Sequence, residues 1–512
     1  MQSHEDMIKL LPNDPEELKK IILKKDSIIT NLQFDIFKLN ETIKIYQHKL
    51  FGRKTEKLPQ EEQPGLFNES EVQESEITNH SPQEKIKITY ERLKKSGKRT
   101  LPSDLPRIEK HLDLSPEEKS KLEAEGTLTK IGEEISEKLE IIPQQVYVLK
   151  IIRAKYSFKK NDCESKIITA AMDAQIIPQG IATPSALAYV FKTKFVDAMP
   201  YYRQEKMFAS LGIDLNRNTM CNWQINVYYN YLIRLVDLMK RDLRACSYVG
   251  ADETTLQVIK EEGKPPDSKS YMWVYRGMGE NKVILLYDYQ SNRCGQNPKD
   301  YLEGFQGYLQ TDGYDGYNLT VRSSNIIHLA CWAHVRRKFF NCFKVLDKDK
   351  YPESKIILDM IKELYAVEKK IKLEKMTNDA IYQFRQKEAK PVLEKIKEWL
   401  DTNVWLYPPS CDMGEAINYT LKLWPQLTVY VNDGRLLIDN NLVENAIRPF
   451  VIGRKNWLFA QNADGAESSA ALYSLIETAK ANHKDPYKVL IELFEKLPLA
   501  KTDADYEKLL PY

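Results

Sequence analysis

The chain has 512 residues, 42% hydrophobic and 29% charged, which is enough to fill three or four separate cores. A formal net charge of +2 excludes attraction of an acidic partner through bulk charge, so any nucleic-acid site must come from local clusters of Lys and Arg. Seven cysteines (163, 221, 246, 294, 331, 342, 411) without pairing rhythm or a Cys-x-x-Cys, and no apolar run of 18 residues, argue against a disulfide scaffold and a membrane span.

The start, MQSHEDMIKLLPNDPEE, is acidic and lacks the charged-then-apolar plan of a signal peptide, so a cytoplasmic protein is expected. Ile22, Ile29, Ile36, Ile43 and Leu50 follow one another at intervals of seven, with Leu18, Leu32, Leu39 and Tyr46 between them. Lys25 interrupts the seam, but β-branched residues at one position and Leu at the other predict a parallel coiled coil, and a homodimer or higher oligomer through residues 18–50. A helix packed on its own protein is the alternative. Residues 1–58 form this first region and 59–98 an acidic-to-basic linker, Pro-punctuated at first and ending in ERLKKSGKRT, either a phosphate contact or a solvated charged face.

Residues 99–165 read as a small module whose strongest strand is VYVLKIIRAKYSF, and 166–246 as a helical region. Within the latter, YRQEKMFASLGI is an amphipathic helix broken at Gly212, followed by LNRNTMCNWQINVYY with Asn216 or Asn218 as cap. Two short helices about a glycine turn are either a helix-turn-helix or an ordinary helical hairpin. In the first case Arg217 and Asn218 would read bases while Arg203 and Lys206 hold phosphates.

Residues 247–345 carry the sharpest pattern. SYVGADETTLQVI is a strand with Asp252 in its middle, and a carboxylate buried there costs several kcal/mol on the order-of-magnitude scale for desolvated ions unless a cation pairs with it. SKSYMWVYRGMG and KVILLYDYQ form a hairpin about a Gly-Glu-Asn-Lys turn. A helical piece, NPKDYLEGF, precedes a strand that ends in Asp312, and NIIHLACWAHV enters a basic helix with His334, Arg336, Arg337 and Lys338. Three strands in a meander followed by strands alternating with helices predict an α/β RNase H-like catalytic core.

Lys- and Glu-rich periodicity makes 346–435 a helical insert, and 436–484 returns to the core. There LIDNNLVENAIRPF opens a helix with Asn440 and Glu444 on one face, Arg448 continuing it; VIGRKNWLFA, with Arg454 and Lys455, is strand-like, and SSAALYSLIETAKANH closes the core before a helical tail at 485–512. The spacings from Asp252 to Asp312 and on to Glu444 are too long for a local metal loop, so only a fold can unite these three as a triad. Glu253 should face the other side of its strand, Asp315 should be peripheral and Asp439 should cap the Glu444 helix, while Glu467 is passed over. Three carboxylates suit magnesium, with manganese able to substitute. His334, Arg336 and Arg337, and Arg448, Arg454 and Lys455, form two basic groups that would hold DNA phosphates beside them.

ADETTLQV, TDGYDGY, CWAHVRRKF and NNLVENAIRPFVIGRKNWLF resemble the signature blocks of the insertion-sequence sixty-six family of bacterial DDE transposases. LFGRKTEK at 50–57, LPSDLPR at 101–107 and YYRQEKMFASLGIDLNRNTMCNW at 201–223 resemble further blocks of that family. The resemblance implies that Asp252, Asp312 and Glu444 are the metal-binding acids, that the ends of a mobile element and target DNA are the substrates, and that accessory proteins come from the same element. It also implies a zinc-binding module over 99–165, from which this chain departs: LDLSPEEKSKLEAEGTLTKIG has no cysteine, and Cys163 with His111 cannot supply four ligands. A zinc-finger-like module without zinc is expected. The competing readings are a structure-selective nuclease on the same fold and a non-catalytic DNA-binding scaffold.

Overall fold

The computed structural model describes residues 146–512 apart from 161–163, 280–281, 323–324 and 346–351, together with isolated positions among 14–32 and 116–124. The predicted coiled coil, the linker and most of the small module lie outside the described residues. The chain divides into two units, one of residues 70–172 and one of 1–69 with 173–512.

In the first unit β1 (Lys155–Lys160) and β2 (Glu164–Thr169) pair antiparallel, from Lys155 with Thr169 to Lys160 with Glu164. The strand expected over VYVLKIIRAKYSF is therefore confined to its end. Residues 146–154 take no regular structure and leave Val148 and Ile152 exposed, because β2 offers ladder partners only from Lys155 onward. The helical region expected from residue 166 likewise begins later, at Pro184.

The larger unit starts with α1 (Pro184–Phe195), capped by Thr183, α2 (Tyr201–Ser210) and α3 (Arg217–Val227), which a π-helical turn joins to α4 (Ile233–Arg244). The turn between α2 and α3 contains Gly212 at φ 76°, a conformation that glycine adopts without strain. Asn216, not Asn218, caps α3, its side chain accepting from the Thr219 N–H at 2.9 Å.

A mixed sheet follows, made by β3 (Tyr248–Lys260), β4 (Lys269–Met278), β5 (Val283–Gln290), β6 (Gly307–Thr311) and β7 (Ile326–Ala330), with α5 (Gln296–Tyr301) before β6 and α6 (Tyr317–Arg322) before β7. The spatial order is β5-β4-β3-β6-β7, antiparallel as far as β3 and parallel from β3 to β7. α7 (Trp332–Val345) leaves β7, and α8 (Pro352–Glu374), α9 (Asn378–Phe384), α10 (Lys390–Asn403), α11 (Asp412–Lys422) and α12 (Trp424–Leu427) build a helical region with its own core. Phe339 of α7, Ile361 and Leu364 of α8, Ile396 of α10 and Ile417 of α11 are among its buried side chains.

α13 (Asn441–Trp457) returns to the sheet, and β8 (Ala460–Asn462), α14 (Ala463–Ala481), α15 (Pro486–Lys496) and α16 (Asp503–Glu507) complete the chain. VIGRKNWLFA is thus not a strand from its start: the helix runs to Trp457, burying Val443, Ala446, Ile447, Phe450 and Gly453 at helical spacing, and only Ala460–Asn462 is extended. Tertiary burial of that stripe outweighs the local β preference of Val451 and Ile452. α14 closes the outer edge of β5 with side chains in place of a strand. Thr478 Oγ1 accepts from Leu285 N–H and donates to its carbonyl, both at 2.9 Å, and Ser474 Oγ accepts from Tyr287 N–H at 2.8 Å.

Candidate active site

β3 is the spine of the site because its second edge changes partner midway. β6 pairs with it only from Tyr248 to Gly250, and β8 only at Val258 and Lys260. The edge between them has no ladder, so its carbonyls need other donors. α13 supplies them: Asn440 Nδ2 donates to the Ala251 carbonyl at 3.0 Å, and the Arg454 guanidinium donates to the Thr255 carbonyl and to Thr254 Oγ1. The close approach requires Gly250, where a Cβ would lie 2.5 Å from Val443 Cγ2 and 3.0 Å from Asn440 Oδ1. Residues alternate along a strand, so Asp252 shares this face with Gly250.

Asp252 comes from the middle of β3, Asp312 from the residue after β6, and Glu444 from the first turn of α13. Burial, then the charges of Glu253, Asp312 and Glu444, push the Asp252 carboxyl up to about 8, although it accepts the Glu253 N–H at 2.8 Å. Asp252 is thus within electrostatic reach of both Asp312 and Glu444, although the three do not place donor atoms within 4.8 Å of one another. Among the described residues Asp252 has no ion-pair partner, and the Asp312 carboxylate accepts only the Tyr314 N–H, at 2.9 Å. Behind Asp312, Thr311 Oγ1 donates to the Asp312 carbonyl and lies 2.8 Å from His328 Nε2. A hydroxyl has one proton, so Nε2 carries the hydrogen of that second bond, in keeping with a neutral imidazole that burial holds down at about 4.

Glu444 meets the start of α7. Its Oε2 is 3.4 Å from Arg337 Nη2, and its Oε1 is 3.7 Å from His334 Nδ1. Three shielded polar atoms there lack a hydrogen-bond partner, Asn440 Oδ1, Glu444 Oε1 and His334 Nδ1. Cys331, His334 and Glu444 place one donor atom each within 4.8 Å of one another. The Cys331 sulfur is already an acceptor for the Asn440 N–H at 3.2 Å, and burial pushes its thiol up to about 12, so it acts here as a neutral support for the start of α13. A divalent cation fits the oxygen donors: the Asp252 carboxyl, without a cationic partner among the described residues, and the shielded Glu444 Oε1, without a hydrogen bond, are groups that such an ion satisfies.

The other acids are engaged elsewhere. Glu253, on the opposite face, accepts from Arg293 Nε at 2.6 Å and from the Tyr317 hydroxyl at 2.7 Å. Asp315 pairs with Lys422 at 2.7 Å, and Glu467 accepts from the Tyr228 hydroxyl at 3.3 Å. Asp439 stands just before the helix: the N-cap is Asn440, whose side chain makes no capping bond, and Asp439 accepts the Asn441 N–H at 3.1 Å.

The basic residues separate into two kinds. Arg203, Lys206, Arg217, Arg337, Arg448 and Lys455 are exposed, as is Asn218. Arg336 departs from expectation: it is 6% exposed and buried beside Tyr365, because its position on α7 turns it into the helical core, where it cannot meet a phosphate. Arg454 is spent on the β3 edge. Sequence reasoning placed Asn440 on the Glu444 face but not its bond to β3, and it missed Cys331 and the Thr311–His328 pair. Cys331 carried no signal of its own among the scattered cysteines, although its spacing of three from His334 sets both at the mouth of one helix.

Residues 179–468 match the family model described as Transposase IS66 family, and residues 474–512 match that of the IS66 C-terminal element. A model described as Transposase C of IS166 homeodomain matches 38–109, across the end of the predicted coil and the linker. The zinc-finger binding domain of transposase IS66 matches 124–160, a stretch that holds neither cysteine nor histidine. Three proteins of Sinorhizobium fredii, each named only as uncharacterized, are similar. They are y4jD, 31% identical over 80% of this chain and 81% of its own, y4qI, 30% over 75% and 71%, and y4hP, 29% over 75% and 71%.

Proposed function

The chain belongs to the IS66 family of insertion-sequence transposases, and from that premise we propose that it binds the ends of its element, nicks the DNA to free a 3′-hydroxyl and joins that hydroxyl to a target strand. The observation that carries this reading is the Asp252 carboxyl at the edge where β3 has no ladder, without a cationic partner among the described residues and within reach of the charges of Asp312 and Glu444. The strand order β5-β4-β3-β6-β7 supports an RNase H-like core, and the separate core of α8 to α12 supports their reading as an insert. The heptads at 18–50 support self-association through a coiled coil.

On this reading Asp252, Asp312 and Glu444 hold magnesium, with manganese able to replace it. Such ions, when bound, supply Lewis-acid stabilisation of the charge on the attacking and leaving oxygens of a phosphodiester. Asn440 fixes the start of α13 on β3 and so sets where Glu444 stands. Arg337 and His334 flank Glu444 from α7 and are placed to hold a phosphate oxygen once the acids are occupied. Arg203, Lys206, Arg217, Asn218, Arg448 and Lys455 remain as DNA contacts on exposed faces. No helix of the described residues is long and apolar enough to cross a membrane, and DNA is the partner.

The test is a labelled duplex carrying the terminal inverted repeat that flanks the reading frame, incubated with the purified chain and magnesium. Nicks at the repeat boundary followed by joined products are expected. Nicking without joining would favour the nuclease, and binding without nicking the scaffold.

A further inference from the structure

On part of the described surface, basic side chains are neutralised by neighbours. Lys192 pairs with Asp197, Arg234 with Asp503, Arg241 with Glu507, Lys422 with Asp315 and Arg435 with Asp433, each within 2.7 Å. Among the described residues Arg203, Lys206, Arg217, Arg448 and Lys455 are exposed and have no carboxylate partner; other exposed lysines, Lys260, Lys395 and Lys488 among them, share that state, and the five are set apart by their arrangement.

They are also contiguous. Glu444, Arg448 and Lys455 are separated by four and seven residues of α13, which places them within about 40° of one another around a helix of 3.6 residues per turn. At the far end Arg203 of α2 reaches Asn456 of α13, Nη1 to Oδ1 at 3.4 Å. Beside it Tyr202, 48% exposed, carries the Lys206 ammonium 4.6 Å from its ring centre and the Arg217 guanidinium at 5.6 Å. The ring positions two cations of α2 and α3 without neutralising either.

The geometry points to a DNA track: one strand of the element-end duplex follows the exposed face of α13, with Arg448 and Lys455 on its phosphates, and reaches the Tyr202, Lys206 and Arg217 cluster at the far end. This rests on the transposase reading and adds a ruler to it. From Glu444 to Asn456 the helix runs about 18 Å, at about 1.5 Å per residue. At one phosphate per ~3.4 Å of a strand along the duplex axis, that is about five base-pair steps. The phosphates held by α2 and α3 therefore begin about five steps from the bond that is cut, and Arg448 serves those within about two steps of it.

The test is ethylation interference on the same labelled repeat duplex, bound by the full chain carrying Asp252→Asn so that it stays uncut. Arg448→Ala and Lys455→Ala are added singly. Each added change should remove interference at its own position, near the cut for Arg448 and about five steps away for Lys455, and should lower the slope of log affinity against log salt by about 0.9. Equal melting temperatures show that these surface variants fold. Nicking by the wild-type chain fixes the cut and scores the transposase reading separately. Wild-type nicking with interference patterns unmoved by both variants would overturn the track and leave that reading intact.

Discussion

Arg385 and Asp252 are both ionisable groups set back from water, the first fully buried and the second half-buried, and the structure treats them in opposite ways. Arg385, 2% exposed in the helical region, donates to both oxygens of Glu368 at 2.8 and 2.7 Å and to the carbonyls of Tyr430, Asp433 and Leu436. Its five N–H groups are all used. Asp252 has one backbone donor, no cation among the described residues, and acids for neighbours. A buried charge with every partner supplied holds the segment of chain that leads into α13. A half-buried carboxyl left short of partners, at the edge where β3 changes neighbours, is material for binding something else.

The contrast can be broken most forcefully at the acids themselves. Glu444→Gln, Asp252→Asn or Asp312→Asn should each cost roughly a thousandfold or more in nicking, the several kcal/mol that bound metal supplies, while end binding survives. Combining them should add little, since a unit that fails together is not additive. Robust nicking by Glu444→Gln in a gel assay would remove that residue from the site. Arg385→Ala should do the reverse. It leaves Glu368 and three carbonyls without donors, and urea unfolding should show a loss of about 3–5 kcal/mol that magnesium does not restore.

Gly250→Ala sharpens the comparison, because it disturbs the site without touching an acid. The added methyl would press on Val443 and Asn440, costing about 1–3 kcal/mol and displacing Glu444, so nicking should fall further than the change in melting temperature explains.

The pH dependence has a definite sign. Asp252 is raised in the folded chain, so the native state holds its proton more tightly than the unfolded one. Without divalent ions its contribution to stability is therefore lost as pH rises from about 4 to about 8. Asp252→Asn should remove that slope and stabilise the metal-free chain at pH 8 by on the order of 1–3 kcal/mol, read by thermal melting. A variant no more stable than wild type would mean that Asp252 already has a counter-charge. The smallest effect is expected from Asp439→Asn, which keeps an oxygen for the Asn441 N–H and should change nicking less than about threefold and stability by under about 1 kcal/mol.

Much of this was legible locally. The alternation through β3, β4 and β5, the glycine break between α2 and α3 and the periodicity of α8 and α10 depend on neighbours in sequence, so composition and spacing carry them. The opposite face for Glu253 followed from strand parity. The misjudged segments were those where distant partners decide. VIGRKNWLFA has β-branched residues, yet it stays helical through Trp457 because its buried stripe packs on the sheet. Arg336 and Arg337 are adjacent in sequence and alike in charge, and only the packing of α7 sends one inside and leaves the other beside Glu444.

The sequence by itself determined the order of elements, the identities of three candidate acids and their dependence on a fold to meet, because residue type and spacing are local quantities. Only the tertiary structure decided that β6 leaves β3 after Gly250, that α13 fills the gap through Asn440 and Arg454, and that Cys331 supports its start. The last two rest on hydrogen bonds between groups on the order of a hundred or more residues apart, formed because backbone N–H and carbonyl groups stripped of water take whatever partner the fold brings to them.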